Sequence, residues 1–108
     1  MKREDLFKLL ESNTSTIVLF VTATWCVPCQ KIKSYVIEKA SNYDIHFIQI
    51  DADSDADVFS MFKTKKQIKG VPSLLAYVKT NHTLFANLSI SGTNKNEIDC
   101  FFESLDFL

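Results

Sequence analysis

The stretch Thr16-Ile17-Val18-Leu19-Phe20-Val21 has no polar side that it could turn toward water. A strand exposed on one face alternates apolar with polar residues. An unbroken run of β-branched and large apolar residues reads instead as a strand covered on both faces. Such a strand needs a layer of helices on each side, which points to an α/β architecture. The composition can supply it: 108 residues, 46% apolar, with only 2 Gly and 2 Pro, suffice for one core and exclude disordered, collagen-like or low-complexity sequence. The expectation is a single domain over residues 1–108.

The rest of the chain arranges itself around that strand. Leu6, Leu9 and Leu10 recur at helical spacing before it. Ile32, Tyr35, Val36 and Ala40 mark a helix directly after it, and Ile45 to Ile50 read as the next strand. Strand, helix, strand implies a parallel crossover. The acid-rich turn Asp51 to Asp57 precedes a short stripe of Val58, Met61 and Phe62, with Asp57 expected to cap that helix. Ser73 to Val78 and Thr83 to Ile90 are strand-like runs separated by Lys79 to His82, a hairpin-sized loop, so the sheet should be mixed. Asn94 and Glu97 are spaced for a capping box ahead of Ile98, Phe101, Phe102 and Leu105, a closing amphipathic helix. The predicted fold is a central mixed β-sheet flanked by helices on both faces.

Charge and cysteine usage narrow the function. With 12 basic and 13 acidic residues, the net charge of −1 lacks the positive excess that favours nucleic acid or an anionic membrane. No stretch reaches the roughly 18 apolar residues of a membrane span, and Met1 to Lys8 mixes both signs of charge without the apolar run of a secretory signal. Three cysteines are too few for a disulfide-stapled secreted scaffold. An intracellular, by default cytoplasmic, monomer is expected, and the Asn-x-Ser/Thr matches at Asn13, Asn81 and Asn87 then have no glycosylation to receive.

The sharpest chemical signal is Trp25-Cys26-Val27-Pro28-Cys29, a Cys-x-x-Cys that follows the buried-type strand and opens a helix. Residues three apart in a first turn lie about 5–6 Å apart, within the Cα separation of about 4.4–6.8 Å that a disulfide tolerates. The pair can close and reopen with little backbone movement. At a helix start the unpaired N–H groups and the positive dipole end favour a thiolate, with pKa values of about 3.5–7.5 in comparable sites against about 8.5 for a free thiol. That makes Cys26 the better nucleophile and Cys29, one turn inside, the resolving thiol. Pro28 costs nothing in a first turn, where its missing N–H had no helical partner, and Trp25 would flank the site with a flat apolar face.

The chain resembles the thioredoxin family over nearly its whole length. The resemblance rests on Trp25-Cys26-Val27-Pro28-Cys29 after the Ile17–Val21 strand, Gly70-Val71-Pro72-Ser73 ahead of a strand, Gly92 after the last strand, and the order of elements. It implies that Pro72 follows a cis peptide bond beside the cysteines, that the Val71 backbone pairs with an extended substrate segment, and that Gly92 completes an apolar docking surface. Val71–Pro72 is also a credible cis site in its own right, because X-Pro bonds are nearly the only cheap cis bonds. The implied activity is reduction of disulfide-containing protein substrates, with an external reductase or dithiol donor restoring the pair and no cofactor bound. Departures stand beside the match. Val27 occupies the position usually Gly, Phe20 that of a buried acid, Phe47 that of the lysine paired with it, Thr22 that of a tryptophan, and Ser34 that of a helix-kinking proline.

Other uses of these residues stay open at this level. The cysteine pair could be half of a zinc site, although only Cys100, His46 and His82 remain as further Cys or His ligands. With Phe20 in place of the acid, a redox-inactive binding or scaffold module using Trp25, Val71, Pro72 and Gly92 is the alternative. Cys100 falls off the apolar stripe of the last helix and should be an exposed thiol. Asp51 to Asp57 imitates a calcium loop but has Ala56 where the turn Gly belongs and Phe62 where the bidentate Glu belongs. Lys63, Lys65, Lys66 and Lys69 read as a solvated face that could steer acidic partners. His46 and His82 read as packing and surface residues rather than a general base.

Overall fold

The computed structural model describes residues 1–108. In chain order the elements are α1 (Arg3–Glu11), β1 (Ile17–Thr22), α2 (Val27–Ala40), β2 (His46–Asp51), α3 (Ala56–Thr64), β3 (Ser73–Tyr77), β4 (Leu88–Ser91) and α4 (Lys95–Ser104), closed by a 3₁₀ turn over Leu105–Phe107. The sheet order is β2-β1-β3-β4. β1 pairs in parallel with β2 and antiparallel with β3, and β3 pairs antiparallel with β4. The mixed sheet with helices on both faces is the architecture the sequence implies.

Every residue of β1 is buried, for the reason the Thr16–Val21 run suggests: it feeds two cores at once. Ile17, Leu19 and Val21 pack with Leu6 and Leu10 of α1 and Val58, Met61 and Phe62 of α3. Val18 and Phe20 point the other way, into Ile32 and Val36 of α2 and Ile98, Phe101 and Phe102 of α4. Each such side chain contributes about 1.5–3 kcal/mol of burial. Because β1 and β2 are parallel, their C-terminal ends lie side by side and open one crevice between the loops that follow them.

Three local expectations are corrected. Thr83 to Asn87 is not strand: β4 begins only at Leu88, and the connection from β3 is far longer than a Lys79–His82 hairpin turn. Side chains there compete successfully for the backbone. Asn81 Oδ1 accepts from the Thr83 N–H at 2.9 Å, Asn81 Nδ2 donates to the Phe85 carbonyl at 2.8 Å, and Asn87 Oδ1 accepts from the Val78 N–H at 3.1 Å. Asp57 does not cap α3. Asp55 holds the N-cap position, and Asp57 instead accepts from the Arg3 N–H at 2.8 Å and from its guanidinium at 3.0 Å, tying α3 to α1. At α4 the Asn94 side chain accepts from the Glu97 N–H at 3.1 Å, so that half of the capping box forms.

The end of α3 is also unusual. Gln67 N–H donates to Phe62 O at 2.9 Å and Lys66 N–H to Lys63 O at 3.1 Å, the paired bonds of a Schellman cap. The left-handed position of that cap, at φ 58°, is held by Lys66 where glycine is the favoured residue.

Candidate active site

At the C-terminal end of β1 the chain leaves the sheet through Ala23, Thr24 and Trp25 and enters α2 at its N-cap, Cys26. The Ala23 carbonyl accepts from the Cys26 N–H at 3.1 Å and from Gln30 Nε2 at 3.0 Å, which fixes the entry angle. Pro28 sits in the first turn, where no helical hydrogen bond is lost. Cys26 and Cys29 are joined by a disulfide with their Cα atoms 5.2 Å apart, inside the span expected for residues one helical turn apart.

The two sulfurs have unequal surroundings. Cys26 is 7% exposed and Cys29 is 0% exposed. Cys26 Sγ accepts from the Cys29 N–H at 3.3 Å. That bond and the start of α2 both favour negative charge on Cys26 once the disulfide opens. Cys29 lies in a small cluster with Ala23 and Ala52, against Phe59 and Val71. On the far side of Cys26, its sulfur lies 3.9 Å from the Val71 carbonyl oxygen. The Val71–Pro72 bond is cis and Pro72 is buried. Gly92, exposed at φ +111°, donates its N–H to the Pro72 carbonyl at 2.9 Å. A side chain at that φ would be strained, so glycine is required there by backbone conformation. The fold thus brings Val71 against Cys26 and Gly92, from a second loop, against Pro72.

Trp25 is 62% and Val27 63% exposed beside the disulfide, a pair of large apolar groups left without cover. The Trp25 indole is held by one bond, Nε1 donating to Asp53 Oδ2 at 3.0 Å. Asp53 is a site residue that sequence reading missed. The available signal was topological: parallel β1 and β2 must place the loop after β2 next to the loop after β1. That acid-rich loop is self-bonded. Asp51 Oδ1 accepts from the N–H groups of Ser54 at 3.0 Å and Asp53 at 2.9 Å, which together hold its carboxyl below the usual range. No group of three or more His, Cys, Asp or Glu side chains is placed to hold a metal ion.

The face of β1 on which α2 packs is apolar. Phe20 is fully buried and its ring stacks on Phe47 with centroids 6.3 Å apart and an interplanar angle of 22°. The positions that the resemblance pairs as acid and lysine are here an aromatic couple. Thr22 is buried with no partner for its hydroxyl, and Ser34 lies exposed within an unbroken α2. Cys100 is an exposed free thiol on α4. His46 is exposed on β2, and His82 Nδ1 lies 2.9 Å from the Leu10 carbonyl, away from the cysteines in both sequence and contacts.

Comparison with known proteins gives one answer. The family model described as Thioredoxin matches residues 1–103. Thioredoxin 3 of Plasmodium falciparum (isolate 3D7) is 28% identical over 92 residues, a match covering 85% of this chain and 49% of that protein, so the chain spans about half of that relative's length. Thioredoxin of Ophiophagus hannah is 32% identical over 93 residues, covering 85% of this chain and 81% of that protein. Among solved structures, a Plasmodium falciparum thioredoxin superposes with TM-score 0.73 at 27% identity over 94% of this chain and 80% of that one. A Trichomonas vaginalis thioredoxin, at 21% identity, shares the fold with TM-score 0.78 over 96% of this chain and 91% of that one.

Proposed function

Since this chain belongs to the thioredoxin family, we propose that it is a protein dithiol–disulfide oxidoreductase that reduces substrate disulfides through Cys26 and Cys29. The observation that carries the reading is the closed Cys26–Cys29 pair at the start of α2, with Cys26 retaining 7% exposure and Cys29 none. In the reduced protein the Cys26 thiolate attacks one sulfur of a substrate disulfide, forming a mixed disulfide and releasing the other substrate sulfur as a thiolate. Cys29 then loses its proton and attacks Cys26 Sγ, releasing the second substrate thiolate and leaving the Cys26–Cys29 disulfide. Two electrons have passed to the substrate, and an external reductase or dithiol donor must return two to the pair.

Trp25, Pro28, Val71, Pro72 and Gly92 form the substrate surface in this reading. The Val71 carbonyl beside Cys26 Sγ offers an acceptor to an extended substrate backbone. Residues 1–108 act as one domain, as a monomer, and a reducing intracellular compartment, by default the cytoplasm, suits a pair that must be re-reduced. No helix is long and apolar enough to cross a membrane.

The test is reduction of insulin disulfides with a dithiol donor. Turnover by the wild type and its loss in Cys26→Ser are expected; wild-type activity no higher than that of the variant would overturn the reading. The Phe20–Phe47 stack favours a second reading, a module that holds partners without exchanging electrons. Trapping separates the two. Cys29→Ser accumulates covalent partners if exchange occurs, whereas a scaffold binds equally well with both cysteines replaced.

A further inference from the structure

β4 is an edge of the sheet, bonded to β3 on one side only. Gly92 N–H reaches Pro72 O, and pairing alternates from there along the register, so Ile90 and Leu88 turn their backbone groups toward β3. The N–H and C=O groups of Ser89 and Ser91 therefore face outward. They open into a groove of about 540 Å³ that runs along this edge, walled on one side by α4 with Glu97 and Cys100 and on the other by the segment carrying Lys66 and Lys69. A free strand edge beside a helix is the arrangement into which extended peptides add as a further strand.

The charge of the walls says which peptide. Lys66 and Lys69 line the groove against a single acid, Glu97, and neither lysine is in an ion pair. Lys63 and Lys65 stand next to them on the same exposed stretch and are also outside any ion pair. Lys66 is held in the left-handed position of the α3 cap, so its site on the rim is fixed by the backbone. The strand leaves the groove into Gly92, whose N–H bonds Pro72 O, and the lysine wall continues from Lys69 to Val71, whose carbonyl lies 3.9 Å from Cys26 Sγ, so both walls run on toward the cysteine pair.

We propose that this groove binds an extended acidic segment of the disulfide substrate, which pairs with the outward backbone groups of Ser89 and Ser91 and sets its carboxylates on Lys66 and Lys69. The proposal rests on the exchange function above, and its test does not. In the Cys26→Ser/Cys29→Ser protein the only thiol is Cys100, on the groove wall, and its alkylation by iodoacetamide reports occupancy without any redox step. An alternating Glu–Val peptide is expected to slow alkylation several-fold and to shift the Ser89 and Ser91 amide resonances, while a Lys–Val peptide of equal length does neither. Lys66→Glu/Lys69→Glu should exchange those preferences. Equal effects of both peptides, no effect of either, or shifts confined to Trp25 and Val71 would overturn the proposal. Failure of insulin reduction would overturn the exchange function and leave this binding result unaffected.

Discussion

The two ends of the sheet are built by opposite means. Where β1 and β2 end and β3 begins, the chain places a disulfide among Ala23, Ala52, Phe59 and Val71 and leaves Trp25 and Val27 bare. At the other end, the 78–87 connection is laced by Asn81, Thr83 and Asn87, while the buried Tyr77 hydroxyl donates to Leu84 O at 3.0 Å. Burial raises the Tyr77 pKa far above its ordinary value and keeps that hydroxyl a neutral donor. This end meets much of its hydrogen-bonding need internally, with Phe85 its exposed apolar group. The cysteine end keeps two large apolar side chains uncovered and a backbone carbonyl beside Cys26, which suits the docking of a polypeptide under the function proposed above.

The contrast can be broken at its strongest point first. Phe20→Ala removes a fully buried ring from the core on which the cysteine-bearing α2 packs and should lower unfolding stability by about 3–5 kcal/mol in denaturant titration. At the opposite end Asn87→Ala deletes the acceptor shared by the Val78 N–H and Asn81 Nδ2, with an expected loss of roughly 1–2 kcal/mol. Equal costs at the two ends would dissolve the distinction.

Smaller effects sharpen it. Lys66→Gly relieves the left-handed residue of the α3 cap and should raise stability by about 1 kcal/mol, visible as a higher denaturant midpoint at unchanged slope. The smallest effect concerns charge near the reactive end. The Arg3 N–H and then its guanidinium hold the Asp57 carboxyl below its ordinary 3.8. A depressed carboxylate stabilises the fold above its unfolded pKa and loses that contribution as pH falls through the folded value. Arg3→Ala should therefore be slightly less stable than wild type at neutral pH, with the gap closing below about pH 4; a gap that persists in acid would assign the Arg3 contribution to packing.

How much of this was legible beforehand depended on the range of the interactions. β1, α2 and β2 follow from periodicity because burial on two faces leaves a pattern in the residues themselves. The cysteine pair and Pro28 were legible for a similar reason, since helix geometry alone sets their spacing. Thr83 to Asn87 misled because its apolar residues, Leu84 and Ala86, do pack on the core, yet the neighbouring Asn and Thr side chains take the backbone bonds a strand would need. Asp57 misled because its partner, Arg3, is 54 residues away. Trp25 and Asp53, 28 apart, meet only through the parallel crossover, and the β4 groove exists only once α4 has folded back along the edge.

The unequal exposure of the two sulfurs has a kinetic consequence. An incoming thiolate must approach along the S–S axis, and only the Cys26 end of that axis opens to solvent. In the proposed exchange, electrons therefore enter and leave through one doorway. Donor and acceptor cannot occupy it together, so steady-state rates measured against both should follow a double-displacement pattern of parallel reciprocal lines.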